Sequence, residues 1–387
     1  MNFILIYLFG SLLECYKGYM IQNGYIGQHC RDGNKPVAWW YIYKPPAGVV
    51  HPSGQNFSFL TPDTEGRWIQ SLYGITEADM LSKTLMPDYK QRSYMDRGGR
   101  AMAIFESRHG APGSSARGVV MADQDGGFLL THTVPGFPQK SRSLSLFPFE
   151  ELESGHLLAC ISLDFSALNK VARAIKEVAS NITYSYMPET LAHLLPEWNF
   201  DRPLLTLSPF RLRPSIYSLI RVNRTSTGEI PLPLEAPFYD NNSGPVEAVL
   251  VARPPGVKSC IYSSFAARQL VMLNVYGQSR STFLTTTCSQ SFGVRNIDSI
   301  SFKYEGVDGP SGPVHYVPTK STDYTWFAVS TAAHWQQRGK GPRQFWVCTS
   351  LVDKEDVTGE GGLLLCLQNY NLWVAFDNLK VTEPSCD

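Results

Sequence analysis

Residues 113–138 constrain this chain more than any other stretch: Gly113-Ser-Ser-Ala-Arg-Gly-Val-Val-Met-Ala-Asp-Gln-Asp-Gly-Gly-Phe-Leu-Leu-Thr-His-Thr-Val-Pro-Gly-Phe-Pro138. Two apolar runs, Val119 to Ala122 and Phe128 to Val134, flank Asp123, Asp125, Gly126 and Gly127. Asp tolerates left-handed backbone and Gly takes positive φ without steric cost, so the spacing predicts a β-hairpin. Its second strand carries His132 on the face of Phe128, Leu130 and Val134. Pro135 and Pro138 end the pairing, because proline has no N–H to give a ladder. One register places His132 on the face of Ser115 and Arg117; a slip of one residue places it opposite. His132 is accordingly a core histidine satisfied by one hydrogen bond, or else a residual phosphate contact or a cryptic catalytic base.

Other segments read more simply. Trp39, Tyr41 and Tyr43 alternate with Trp40 and Ile42, a strand covered on both faces. Ala101–Phe105 is a short strand. From Ser166 to Ala179 the pattern is helical, with Ser166 as N-cap and Leu168, Val171, Ala172, Ile175 and Val178 as one apolar stripe. The proline-rich segments 231–237 and 252–256 read as loops, and Thr322–Ser330 and Gln344–Ser350 as partner strands.

A chain of 387 residues buries a large core, as one big domain or two packed halves. Its 34 basic and 34 acidic residues cancel, so DNA binding is not favoured by overall charge. Five arginines without an intervening acid stand between Arg202 and Thr227 (Arg202, Arg211, Arg213, Arg221, Arg224), either a solvated face or a polyanion-binding surface. Residues 1–18 read as a secretory leader whose apolar stretch is too short to span a bilayer, and no membrane span is expected elsewhere. Sequons at Asn56, Asn181, Asn223 and Asn241 fit a secreted glycoprotein. Eight cysteines without metal-ligand spacing favour disulfides over a metal, Cys15 leaving with the leader. No cofactor is expected.

The hairpin resembles the deoxyribonuclease II family, which shows a His-x-Lys-Gly step, an Asp-x-Asp-Gly-Gly-Phe turn, then His-Ser-Val-Pro-x-Phe-Pro. Here these stand as Ser115-Ala-Arg117-Gly118, Asp123-Gln-Asp-Gly-Gly-Phe128 and His132-Thr-Val-Pro-Gly-Phe-Pro138. The stretch from Cys30 to Pro46 is similar to the family's N-terminal signature. The resemblance implies a phospholipase D-like α/β fold of two pseudo-two-fold-related halves, 28–200 and 201–387, each a sheet flanked by helices. It also implies disulfides Cys30–Cys160 and Cys288–Cys366. Ala328 replaces the family partner of Cys348, which leaves Cys348 to Cys260 or Cys386.

The family is understood to cleave DNA without metal, using one His-x-Lys pair from each half in an acidic compartment. The i, i+2 spacing sends both side chains of a strand into one cleft. Here Ser115 and Arg117 take the first pair's positions and Tyr324 and Trp326 the second's. Serine without a base is a weak nucleophile, arginine exchanges no protons, tyrosine titrates near pH ~10, and tryptophan brings no cation. The Asn-Asp that follows the family's 101–105 strand is also replaced, by Glu106-Ser107. The expectation is a secreted pseudoenzyme, of the diverged type found in parasitic nematodes, that binds an unknown protein or polyanion. The alternatives are an acid endodeoxyribonuclease with a rearranged site built on His132 and Arg117, and a polyanion-binding module.

Overall fold

The computed structural model describes residues 27–45, 47, 52–86, 99–107, 113–139, 145–178, 180–200, 230–240, 244–253, 255, 272–277, 293–297, 300–302, 314–316, 327–333, 344–350 and 361–378. Up to residue 192 the elements are β1 (Arg31–Asp32), β2 (Lys35–Pro36), β3 (Trp39–Lys44), β4 (Ser58–Leu60), β5 (Ile69–Gln70), α1 (Asp79–Leu85), β6 (Ala101–Glu106), β7 (Gly118–Asp123), β8 (Gly126–His132), β9 (His156–Leu163), α2 (Phe165–Glu177), β10 (Asn181–Tyr186) and α3 (Glu189–Ala192). Then follow β11 (Ile230–Asp240), β12 (Gly244–Arg253), β13 (Met272–Gly277), β14 (Gly293–Ile297), β15 (Ile300–Phe302), β16 (Val314–Tyr316), β17 (Phe327–Ala333), β18 (Gln344–Ser350), β19 (Gly362–Gln368) and α4 (Tyr370–Asp377). The protein is mixed α/β.

Two large sheets carry the fold. The first is eight-stranded and antiparallel, in the order β10-β6-β7-β8-β9-β3-β4-β5. The second is seven-stranded, in the order β11-β12-β19-β18-β17-β13-β14, with β13 and β14 parallel. The hairpin lies at the centre of the first sheet. Its turn is tighter than the composition suggests: the second strand begins at Gly126, and Asp123 Oδ1 accepts the Asp125 N–H at 3.0 Å. Gly126 has φ +138°, and a Cβ on Gly127 would lie 2.1 Å from the Met121 carbonyl oxygen, so both positions demand glycine.

The period of two in β3 divides the core. Trp39, Tyr41 and Tyr43 belong to one apolar cluster and Trp40 and Ile42 to another, on opposite faces. The first cluster is shared between the sheets. Helix α2 lies against β8 and β9 of one sheet and β11 and β12 of the other. Helix α4 lies against β17 and β18, while its Phe376 meets Tyr41 and Trp68 edge-on. The Trp68 indole N–H donates to the Ala375 carbonyl, 3.2 Å, across the same interface. Leu168, Val171, Ala172, Ile175 and Val178 of the helical stripe are all buried.

Three expectations need correction. Helix α2 is capped by Asp164, whose Oδ1 accepts the Ala167 N–H at 2.7 Å, and Ser166 falls inside its first turn. Residues 231–237 form a strand, because β11 is the edge of its sheet, where a proline's missing N–H costs no ladder bond. The register shifts between Glu235 and Tyr239, around Pro237, as a bulge accommodates. Likewise β12 runs to Arg253, so 252–253 are strand.

Candidate functional site

The hairpin pairs Gly118 with Thr131, and the His132 N–H donates onward to the Arg117 carbonyl at 3.4 Å. Arg117 and His132 therefore stand opposite each other, on the same face of the sheet. The same counting continues sideways. Phe105 pairs with Gly118, which sets Glu106 beside Arg117. His132 pairs with Leu158, and His156 two residues earlier pairs with Lys44. Five adjacent strands, β6-β7-β8-β9-β3, thus present Glu106, Arg117, His132, His156 and Lys44 at one end and on one face.

Ser115 is buried just before this row. Its N–H and its hydroxyl both donate to the Gly361 carbonyl, at 2.9 and 3.3 Å. The Gly361 N–H returns a bond to the Gly113 carbonyl at 2.7 Å, and Ser114 bridges Gly361 in parallel. The approach to β7 is thereby sewn to the approach to β19. The hydroxyl faces a carbonyl, an acceptor that takes no proton from it.

Arg117 is almost wholly enclosed. Its Nε lies 3.5 Å from Glu106 Oε2, one terminal nitrogen donates to Ser107 Oγ at 2.7 Å, and the other to the Thr133 carbonyl at 3.4 Å. Burial pushes the Glu106 carboxyl up to about 7, against the opposing pull of Arg117. Glu106 is the more accessible partner, its side chain 18% exposed against 4% for Arg117.

His132 is fully buried, with its ring edge-on to Phe137 at 4.9 Å. Among the described residues neither ring nitrogen meets a partner with good hydrogen-bond geometry, although an interaction with the Val134 backbone resists the shift described next. Burial, then the Arg117 charge, lowers its pKa to about 3, so the imidazole is neutral. His156 is equally buried but engaged: Nδ1 is 3.1 Å from Thr133 Oγ1 and Nε2 is 3.2 Å from Glu151 Oε2. Burial lowers its pKa, and the bond to Glu151 resists. Lys44 donates to the carbonyls of Pro45, Leu152 and Ser154 at 2.9, 2.5 and 2.5 Å. Burial brings its pKa down to about 7, with the Glu151 charge opposing.

Of the residues singled out from the sequence, the structure brings Arg117 and His132 together and places Ser115 at the junction of the sheets. Tyr324, Trp326, the arginines 202, 211, 213, 221 and 224, Cys288, Asn223 and Asn241 lie outside the described residues. Asn181 is exposed at the head of edge strand β10, and Asn56 is half-buried. Cys30 and Cys160 are joined, as the resemblance implied. Cys366 is not joined to Cys288: it bonds Cys348, its direct cross-strand partner in the β18–β19 pair. That contact also removes Cys260 and Cys386 as partners for Cys348. Sequence reasoning missed His156 and Lys44, and named Glu106 only as a replacement of a family residue. Each is the polar residue closing or opening an apolar strand, and that was the available signal.

A mixed α/β fold with this hairpin at the centre of its sheet is the setting for the comparisons with known proteins, which support the deoxyribonuclease II family. The family described as Deoxyribonuclease II matches residues 29–212. Over 376 residues the chain is 27% identical to Deoxyribonuclease-2-alpha of Rattus norvegicus, covering 91% of this chain and 93% of the rat protein. It is 26% identical to Deoxyribonuclease-2-alpha of Sus scrofa over 377 residues, 91% of this chain and 89% of the other. Deoxyribonuclease-2-beta of Mus musculus is 23% identical over 373 residues, 92% of both. No helix among the described residues is long and apolar enough to cross a membrane.

Proposed function

We propose that this protein is a secreted, glycosylated deoxyribonuclease II-like pseudoenzyme, a phospholipase D-like pair of halves (28–200 and 201–387) that acts by binding a protein or a polyanion. The observation that carries this reading is the state of the first catalytic pair. Ser115 donates to the Gly361 carbonyl where an imidazole nucleophile is required, and Arg117 is engaged by Glu106. Metal-free phosphodiester hydrolysis needs a nucleophile, a proton donor and cations for the developing charge. Loss of a nucleophile alone costs on the order of 10⁶ in rate in well-studied sites. Tyr324 and Trp326 at the second pair's positions would supply neither a proton near the working pH nor a charge.

His132 faces Arg117, and a rearranged acid endonuclease would be built on these two residues. The neutral, enclosed ring of His132 fits a core role better. The deciding measurement is nicking of supercoiled plasmid at about pH 5 with a chelator present, where imidazole chemistry would operate. The expected result is intact plasmid. Cleavage that His132→Ala abolishes would replace this reading with the endonuclease.

A further inference from the structure

Among the described residues four large apolar side chains are exposed: Leu72 at 80%, Tyr73 at 64%, Phe149 at 51% and Tyr370 at 55%. The first three stand on two loops that pack through a common third. The Ser71 N–H donates to the Phe57 carbonyl at 2.9 Å and the Ile75 N–H to the Gln55 carbonyl at 2.7 Å, which fixes the Leu72–Tyr73 tip at both its ends. Gly54, on the same middle loop, presses against the other: a Cβ there would lie 2.0 Å from the Leu152 carbonyl oxygen. Lys44 and the Ala47 N–H hold the carbonyls of Leu152, Glu153 and Ser154. Phe149 therefore rises from a pinned segment, as Leu72 and Tyr73 do. Single exposed apolar residues need no explanation, but three on adjoining anchored loops mark an interaction site.

The charges around these tips have one sign. Segments 52–57, 71–79 and 147–154 contain no lysine, arginine or histidine. Glu77, Asp79, Glu150 and Glu153 are exposed there, while Glu151 turns inward to His156. In a chain whose formal charges cancel, that segregation selects a partner. We propose that these adjoining loops are a docking surface for a basic protein, with the three apolar side chains as anchors and the four carboxylates as their charged rim. Apolar and aromatic anchors seated in a partner's pocket supply binding energy, and rim charges of opposite sign supply rate and choice. Loops fixed before contact lose little entropy on binding. The inference rests on the binding role proposed above and narrows its partner, since the same four carboxylates repel a polyanion.

The probe is a short amphipathic peptide of leucine and lysine, compared with oligolysine and with a leucine–glutamate peptide. Titration calorimetry uses the full chain with any N-glycans trimmed, because the proposed sugar on Asn56 would stand on the middle loop. The leucine–lysine peptide should bind about tenfold more tightly than either of the others. Leu72→Ser combined with Tyr73→Ser should weaken it by about tenfold. Glu77→Gln combined with Glu150→Gln should weaken it about threefold at low salt and leave it unchanged near about 1 M salt. Thermal unfolding of both variants should match the wild-type protein, because the changed side chains are exposed. No binding of the leucine–lysine peptide, equal binding by the Leu72/Tyr73 variant, or equal binding of either comparison peptide overturns the proposal. So does a chain that dimerises until Leu72→Ser and Tyr73→Ser dissolve the dimer, since a second copy would then occupy the surface. The pseudoenzyme reading is judged separately by plasmid nicking, which does not depend on these loops.

Discussion

Two cations end neighbouring parts of the same sheet, and they are held in different ways. Lys44 is enclosed by three carbonyl oxygens, neutral groups that give it direction, while the Glu151 charge favours its protonated form. Arg117 is enclosed by a hydroxyl and a carbonyl but also by a carboxylate that titrates. Carbonyls cannot be switched off by pH; a carboxylate can. Lys44 therefore acts as a clamp, drawing the segment Leu152–Ser154 onto the end of β3, whereas Arg117 carries a partner that responds to the medium. The sheet places both on one face.

The largest effect should come from breaking the clamp. Lys44→Ala leaves the Pro45, Leu152 and Ser154 carbonyls without their donor in a buried site, an estimated loss of about 3 kcal/mol after the relieved burial of the ammonium is counted. Urea unfolding with disulfides intact measures it. If Lys44→Ala and the wild-type protein unfold at the same urea concentration, the two cations do not differ in the way described.

A middle-sized effect separates Glu106 from His132 by sign. His132 has its pKa lowered from 6.5 to about 3, so the unfolded chain takes up the proton first. Its contribution is present above 6.5 and lost as pH falls, about 2 kcal/mol by about pH 5. Glu106 has its pKa raised from 4.5 to about 7, so its contribution is present below 4.5 and lost as pH rises through about 7. Over the interval between them the two slopes oppose each other and nearly cancel. His132→Phe should therefore gain stability on acidification relative to the wild-type protein, and Glu106→Gln should lose it, by about 2 kcal/mol each. Parallel pH profiles of thermal unfolding for all three proteins would remove the comparison.

Much of this was legible residue by residue, and little of it between residues. The Asp-Gly turn, the two-faced β3 and the stripe of α2 each follow from a local period. The row at the sheet end does not, because β9 lies between β8 and β3, bringing Lys44 beside His156 across 112 positions of chain. Register was equally hidden: a slip of one residue would have sent His132 to the opposite face from Arg117, with the same hydrophobic pattern still satisfied by buried strands. Prolines misled at β11 because their meaning depends on whether a strand is an edge, and a sequence does not state its neighbours. The Cys348–Cys366 bond was missed for the same reason, since it depends on the β18–β19 pairing.

The smallest effect should belong to Ser115, and its smallness is informative. The Gly361 carbonyl already receives the Ser115 backbone N–H at 2.9 Å, so the hydroxyl bond at 3.3 Å is a second donor to a satisfied oxygen. Ser115→Ala removes it without stranding any buried acceptor, and the expected cost is below about 1 kcal/mol. Thermal unfolding with the disulfides intact tests this. A Ser115→Ala protein that unfolds as early as Lys44→Ala would give the serine a task that its present contacts do not.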